Sequence, residues 1–290
     1  MRRRVAIVVA LGLLAGARQA RALDAFEIQV YDGTANPPRV FGLELHLNTV
    51  ASGATTAPPP ELPPNHQAHF TLEPSFGVTS WWEVGGYFQT ALRADGGFDY
   101  AGVKLRSKLV TPPSWSTRVR LGANFEVSHL PARYEAERWG LEVRTIAAWD
   151  VWRLRLVVNP ILDVSLTGGA PSFEPAAEAV YAFPGAASFG FEYYAGLGPL
   201  PGLSRGRDQE HYLYGVANLL AVRNLELNVG VGQGLTAASN GLVVKAIVGY
   251  TFDRGPSPNP LPADGEREQN RGRGVRASSC RRASPRRPWR

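Results

Sequence analysis

A chain of 290 residues, 44% hydrophobic and 19% charged, has room for one large all-β domain or two smaller ones. The formal charge of +6 misleads: five arginines precede residue 23 and ten follow Phe252, and between them sixteen Lys and Arg meet twenty-one Asp and Glu, a net of −5. That balance removes charge as an argument for a nucleic-acid partner. The single cysteine, Cys280, lies in the tail, so residues 23–252 hold no disulfide, thiolate metal site or cysteine nucleophile.

Met1–Ala22 carries the three parts of a secretory leader: Arg2–Arg4, the apolar run Val5–Ala15, and Ala20-Arg21-Ala22 as a small-x-small cleavage site. The run is too short to cross ~30 Å of hydrocarbon as a helix, and no later stretch approaches ~20 uncharged apolar residues. An exported chain of this kind is either soluble or a barrel. Residues 23–39 alternate Phe26, Ile28 and Val30 against Glu27, Gln29 and Tyr31, then break at Asp32-Gly33 and Pro37-Pro38. They read as a periplasmic N-terminal segment outside the ladder, with a short strand joined to the ladder as the alternative.

From Val40 a period of two becomes regular. Leu43, Leu45 and Leu47 oppose Glu44, His46 and Asn48, and the Pro-rich loop Ala51–Asn65 follows. Ala68, Phe70, Leu72, Phe76 and Val78 oppose His69, Thr71, Glu73 and Ser75; after Thr79-Ser80, Trp82, Val84, Phe88 and Leu92 oppose Glu83, Tyr87 and Gln89. Ala101, Val103, Leu105 and Leu109 oppose Lys104, Arg106 and Lys108, and a turn at Thr111–Ser114 leads to Val119, Leu121, Phe125 and Val127 against Arg118, Arg120, Asn124 and Glu126. Trp139, Leu141, Val143 and Trp149 face away from Glu142 and Arg144; past a turn near Asp150, Trp152, Leu154, Leu156, Val158 and Leu162 oppose Arg153, Arg155, Asn159 and Asp163. Phe173, Ala177, Ala179, Tyr181 and Phe183 oppose Glu174 and Glu178, and after Pro184-Gly185, Phe189, Phe191, Tyr193 and Leu197 oppose Glu192 and Tyr194. His211–Val222 is a strand of ambiguous face. Leu225, Leu227, Val229 and Val231 oppose Glu226 and Asn228, and the last strand sets Val244, Ala246, Val248, Tyr250 and Phe252 against Lys245, Gly249 and Thr251.

Three regularities select a membrane barrel. The strands run to the ~9–11 residues needed to cross at a tilt, longer than the ~5–6 common in soluble sheets, and no charge falls on an apolar face. Short and long connections alternate, as short periplasmic turns and longer external loops do. Trp81, Trp82, Trp115, Trp149 and Trp152 sit beside the tight turns with Tyr250 and Phe252, at the level where aromatic rings favour a bilayer interface. Residues 40–252 therefore predict an all-β, transmembrane antiparallel up-and-down β-barrel of twelve strands, with fourteen as the alternative. The Arg/Pro-rich tail, residues 253–290, lacks apolar periodicity and is expected to be disordered.

The ending of the last strand, Tyr250, one spacer, Phe252, resembles the closing signature of Gram-negative outer-membrane β-barrel proteins. The likeness implies placement in the bacterial outer membrane with both termini periplasmic, contact with its lipid, and delivery by the barrel-assembly machinery through Tyr250 and Phe252. The segments LEPSFGVTSWWEVGGYFQ, VNPILD and FEPAAE resemble poorly characterised barrels related to the meta-pathway phenol-degradation family, which implies uptake of small organic compounds and carries over no functional residue.

If the polar faces line a lumen, Lys104, Arg106, Lys108, Arg118, Arg120, Arg144, Arg153 and Arg155 form a basic wall, and Glu44, Glu73, Glu83, Glu174, Glu178, Glu192 and Glu226 an acidic one. Open, such walls orient small polar solutes; closed, they pair into a structural or partner-binding barrel. A lipid-modifying enzyme is the weaker reading, since His46 and His69 point inward and no HExxH, nucleophile elbow or P-loop occurs. No cofactor or metal is expected, and the oligomeric state stays open.

Overall fold

Strand β1 (Phe41–Ser52) hydrogen-bonds on one side to the next strand in sequence and on the other to the last, Leu43 opposite Tyr250 and Asn48 opposite Lys245, so the sheet closes on itself. The computed structural model describes residues 23–252 apart from 137, 185, 186 and 223; the expected leader and tail lie outside the described residues. Around the barrel follow β2 (Ala68–Gly77), β3 (Trp82–Leu92), β4 (Phe98–Val110), β5 (Val119–His129) and β6 (Trp139–Val151). Next come β7 (Leu154–Asn159 and Ile161–Ser165), β8 (Ser172–Phe173 and Ala176–Ala182), β9 (Ala187–Gly196), β10 (Glu210–Val222), β11 (Leu225–Gly234) and β12 (Leu242–Thr251). β7 is interrupted only by Pro160, which has no N–H to donate; both halves pair with β6. All pairings are antiparallel and join neighbours in sequence, which gives twelve strands in a closed up-and-down barrel. Closure leaves no unpaired sheet edge.

The two faces follow from the period of two. Leu105 is 72% exposed on the outer wall, with Phe88, Leu121 and Phe191 also outward, while Lys104, Arg106, Arg120, Glu126 and Arg144 are buried inside. Charge inside and apolar side chains outside is the reverse of a soluble fold and matches a barrel whose outer solvent is lipid. Trp81, Trp115, Trp149, Trp152, Tyr250 and Phe252 are all exposed at the short-turn end. Trp82 is partly covered there and donates its indole N–H to Ser107 Oγ at 3.0 Å. Edge-on contacts join Trp152, Tyr181, Phe183 and Phe189 into part of a girdle.

Some expected faces and turns change. Ala101, expected outward, is buried beside Phe26 and Leu130, because the β3–β4 register shifts at Gln89/Thr90 next to Gly102, whose φ of 136° glycine alone adopts with ease. The turn expected near Asp150 falls after Val151, so Asp150 stays on the inner wall. On β10 the inner face is Tyr212, Tyr214 and Val216, with Leu213 outside.

The largest correction concerns residues 24–36. Expected as a periplasmic lead-in, they lie instead inside the barrel. Near the short-turn mouth Arg39 N–H donates to Gly77 O at 2.7 Å, and Asn36 bonds Glu83 and Ser75. Further in, Tyr31 and Asn159 exchange two hydrogen bonds at 2.7 and 3.0 Å, and Ile28 O accepts from Lys245 Nζ at 3.1 Å. Toward the long-loop mouth Phe26 packs on Ala91, Leu130 and Tyr134. Thirteen residues reach at most ~45 Å extended, enough to thread the barrel. The apolar alternation of Phe26, Ile28 and Val30 belongs to the packing of this segment on the inner wall and not to a sheet.

Candidate functional site

The lumen is built by the inward positions of every strand, and the central segment meets its charges from within. On the β2–β4 side Arg106 donates to Glu73 at 2.7 Å and lies 2.8 Å from Glu83, which also binds Lys108 at 2.8 Å. His46 Nε2 is 2.9 Å from Glu73. Glu44 reaches Gln29 Nε2 at 3.4 Å. Nearer the long loops Lys104 pairs with Asp24 and with Glu126 at 3.3 Å. Arg144 is held by Glu142 at 2.7 Å and donates to Gln29 O at 2.9 Å. Nearer the short turns Arg120 and Arg155 share Asp150 at 2.5 and 3.3 Å, and Arg155 reaches Asp32 at 2.8 Å. On the far wall Lys245 is 2.5 Å from Glu192, between the rings of Tyr194 and Tyr214.

These contacts revise the expected separation into a basic and an acidic wall. Arg106 stands directly opposite Glu126, and Lys108 opposite Asn124, because the β4–β5 connection is longer than Thr111–Ser114 and shifts the partners. Arg118 belongs to that connection: its N–H, with that of Val119, donates to Ser116 Oγ, and its side chain is exposed. Arg153 lies in the β6–β7 turn over the Trp152 ring. Neither joins the lumen cluster, since a turn residue has left the alternation of the strand. Glu178 faces Glu192 across β8–β9, Glu174 bonds Ser172 Oγ at 2.5 Å, and Glu226 flanks Gly249 from β11.

Alternation placed Glu126, Glu142 and Lys245 on the inner face without marking them as site residues. Asp24, Glu27 and Asp32 were hidden, because only the position of the central segment brings them to the wall cations. Burial pushes Asp32 up, but Arg155 and Arg120 outweigh it and hold the carboxyl at about 2. Glu27 is pushed up to about 8 by burial and by the Glu126 carboxylate, against Lys104 and Arg144.

Glu44, His46 and Glu73 place three ligand atoms within 4.8 Å of one another. Arg106 already occupies Glu73 and Lys108 is close by, so the positive charge at this position comes from the protein's own side chains. Among the described residues a cavity of about 20 Å³, room for about one water, is lined by Leu23, Asp24, Glu27, Gln29, Glu142, Arg144, Ile161, Glu174 and Tyr194.

A closed barrel with a charged interior, an apolar exterior and an aromatic girdle decides the fold class. The fold is that of outer-membrane β-barrels. An outer membrane channel from Pseudomonas putida F1 superposes with a TM-score of 0.53 at 13% identity, covering 78% of this chain and 100% of that one. The KdgM porin superposes with a TM-score of 0.51 at 8% identity, covering 73% and 99%. No family model matches the sequence, and no curated protein matches it. At these identities the likeness concerns the fold.

Proposed function

We propose that the protein is an outer-membrane channel for passive passage of small polar or organic solutes, held closed in this conformation by its N-terminal segment. The observation that carries this is the way the lumen is filled. The barrel wall closes through its own ladder, β1 to β12, and owes no backbone pairing to residues 24–35. Those residues are attached by hydrogen bonds and ion pairs to polar wall side chains, a kind of contact that water can replace, and by the packing of Phe26, Ile28 and Val30 on apolar inner-wall positions. Displacing the segment would leave a charge-lined passage of the sort that orients polar solutes. Small organic compounds, the class implied by the family resemblance, fit such a passage when they carry a carboxylate or hydroxyl to meet Arg106, Arg120 or Lys245.

A permanently closed barrel is the second reading, favoured by the density of buried ion pairs. Planar-bilayer recordings of the refolded protein separate the two. A channel is expected to open rarely in the complete chain and often after deletion of residues 24–34, with ion selectivity altered by Arg106→Gln. A deletion variant that folds and never conducts would overturn the channel and leave the closed barrel. Orientation with the short turns periplasmic, and assembly through Tyr250 and Phe252, belong to the same proposal.

A further inference from the structure

Cleavage after Ala22, expected from the leader, turns Leu23 from an internal residue into the amino terminus. Leu23 lies within the barrel, packed on the buried cluster that includes Ile28, Ile161 and Tyr194, and it lines the small cavity with Asp24, Glu27, Glu142 and Glu174. The charges around that cavity do not balance. Glu142 faces Asp163 directly across the β6–β7 pair, and Ser172, opposite Asp163, holds Glu174. Arg144 is engaged by both oxygens of Glu142, and Lys104 by Asp24 and Glu126. Among the described residues no ion pair joins a cation to Asp163 or Glu174. Glu27 Oε2 is fully buried without a hydrogen-bond partner, its nearest cation Lys104 at 3.7 Å.

We propose that this acidic chamber is the seat of the chain's own α-ammonium group, so that leader cleavage creates the cation the lumen lacks. Leu23 lines the chamber, and processing would turn its neutral amide into an ammonium with three N–H donors beside these carboxylates. Burial first, and then the Glu126 carboxylate, push the Glu27 carboxyl up to about 8 against Lys104 and Arg144, so a further cation beside it would be favourable. Processing would then seat the central segment as well as release the protein from its leader. This holds whether or not the segment ever leaves the lumen, and so is independent of the channel reading.

The test is made on the protein isolated from membranes. Mass spectrometry is expected to find Leu23 as the first residue; a different first residue would overturn the proposal. An α-amine-selective aldehyde, 2-pyridinecarboxaldehyde, then reports access, with labelling at neutral pH expected at least about ten-fold slower in the folded barrel than in urea, the equivalent of one weak ion pair. Equal rates would overturn the seat. The pH dependence of labelling separates an acidic seat from mere burial, since carboxylates raise an ammonium pKa above its ordinary ~8 while burial alone lowers it. A lowered value would overturn the assignment, and this measurement needs no variant to fold. Glu174→Gln is expected to bring the value down, and a Gly-Ser extension, which moves the amine by about 7 Å, to restore fast labelling; an unchanged value in the first, or continued slow labelling in the second, would refute the seat.

Discussion

Replacing Asp32 with asparagine tests whether ion pairs hold residues 24–36 in the lumen. Asp32 lies 2.8 Å from Arg155 Nη1 and 4.0 Å from Arg120 Nη2, and accepts from the N–H and hydroxyl of Thr34. Asparagine keeps the shape and an acceptor for Thr34 but loses the charge. The native carboxyl sits at about 2 in the seated segment and returns to ~3.9 in water. That gap is worth ~2.5 kcal/mol, on the order of 60-fold in the equilibrium for displacement. Because the seated value is the depressed one, the contribution is complete above the free value near 4 and is lost as pH falls through about 2. Hydrogen exchange read by mass spectrometry is the assay. Peptides covering 24–36 should exchange tens of times faster in Asp32→Asn, while peptides from β1 and β12 keep their protection. In the native chain the same peptides, corrected for the intrinsic pH dependence of exchange, should hold their protection at pH 5 and lose it below pH ~3. Unchanged exchange in the variant, or equal loosening of the strands, would refute the anchoring role of this ion pair.

Other outcomes follow from the same geometry. Lys245→Met leaves the buried Glu192 carboxylate with Tyr194 as its remaining partner and should cost ~3–5 kcal/mol in urea midpoint measurements, most of it recovered by adding Glu192→Gln. Leu105→Arg, at the most exposed leucine of the outer wall, should destabilise the barrel by ~2–4 kcal/mol in lipid vesicles and far less in a detergent that wets the wall. Gly77→Ala would put a methyl group 2.2 Å from Pro37 O, where the central segment turns into β1, so denaturant unfolding should show a loss of ~1–3 kcal/mol together with loosened exchange at 34–40. Phe252→Ser should lower the yield in the outer-membrane fraction while leaving refolding into micelles intact, which separates recognition during assembly from stability.

Much of the wall could be read from residue type and spacing. Period-two alternation fixes which side of a strand a residue takes, so the inward positions of Glu73, Glu83, Arg106, Arg144 and Lys245 and the outward Leu105 and Phe88 are legible in the sequence. It failed where the period broke: at Gly102, where a bulge turned Ala101 inward, and at Arg118, where a Pro-Pro turn was longer than its composition suggested. β10 resisted because His211–Val222 carries apolar side chains at both parities, and only the neighbouring strands decide that Tyr212 and Tyr214 face the lumen.

The sequence by itself determined an all-β barrel of twelve strands, its apolar exterior and its aromatic girdle, because each depends on side-chain alternation and turn length within a strand or hairpin. The tertiary structure alone decided what fills the barrel. Whether Arg120 meets Asp150, whether Lys245 meets Glu192, and whether residues 24–36 lie inside or outside depend on register, tilt and closure of the whole sheet. A segment held by hydrogen bonds and ion pairs to eight strands has no local signature, since its partners come together only once the barrel has closed around it.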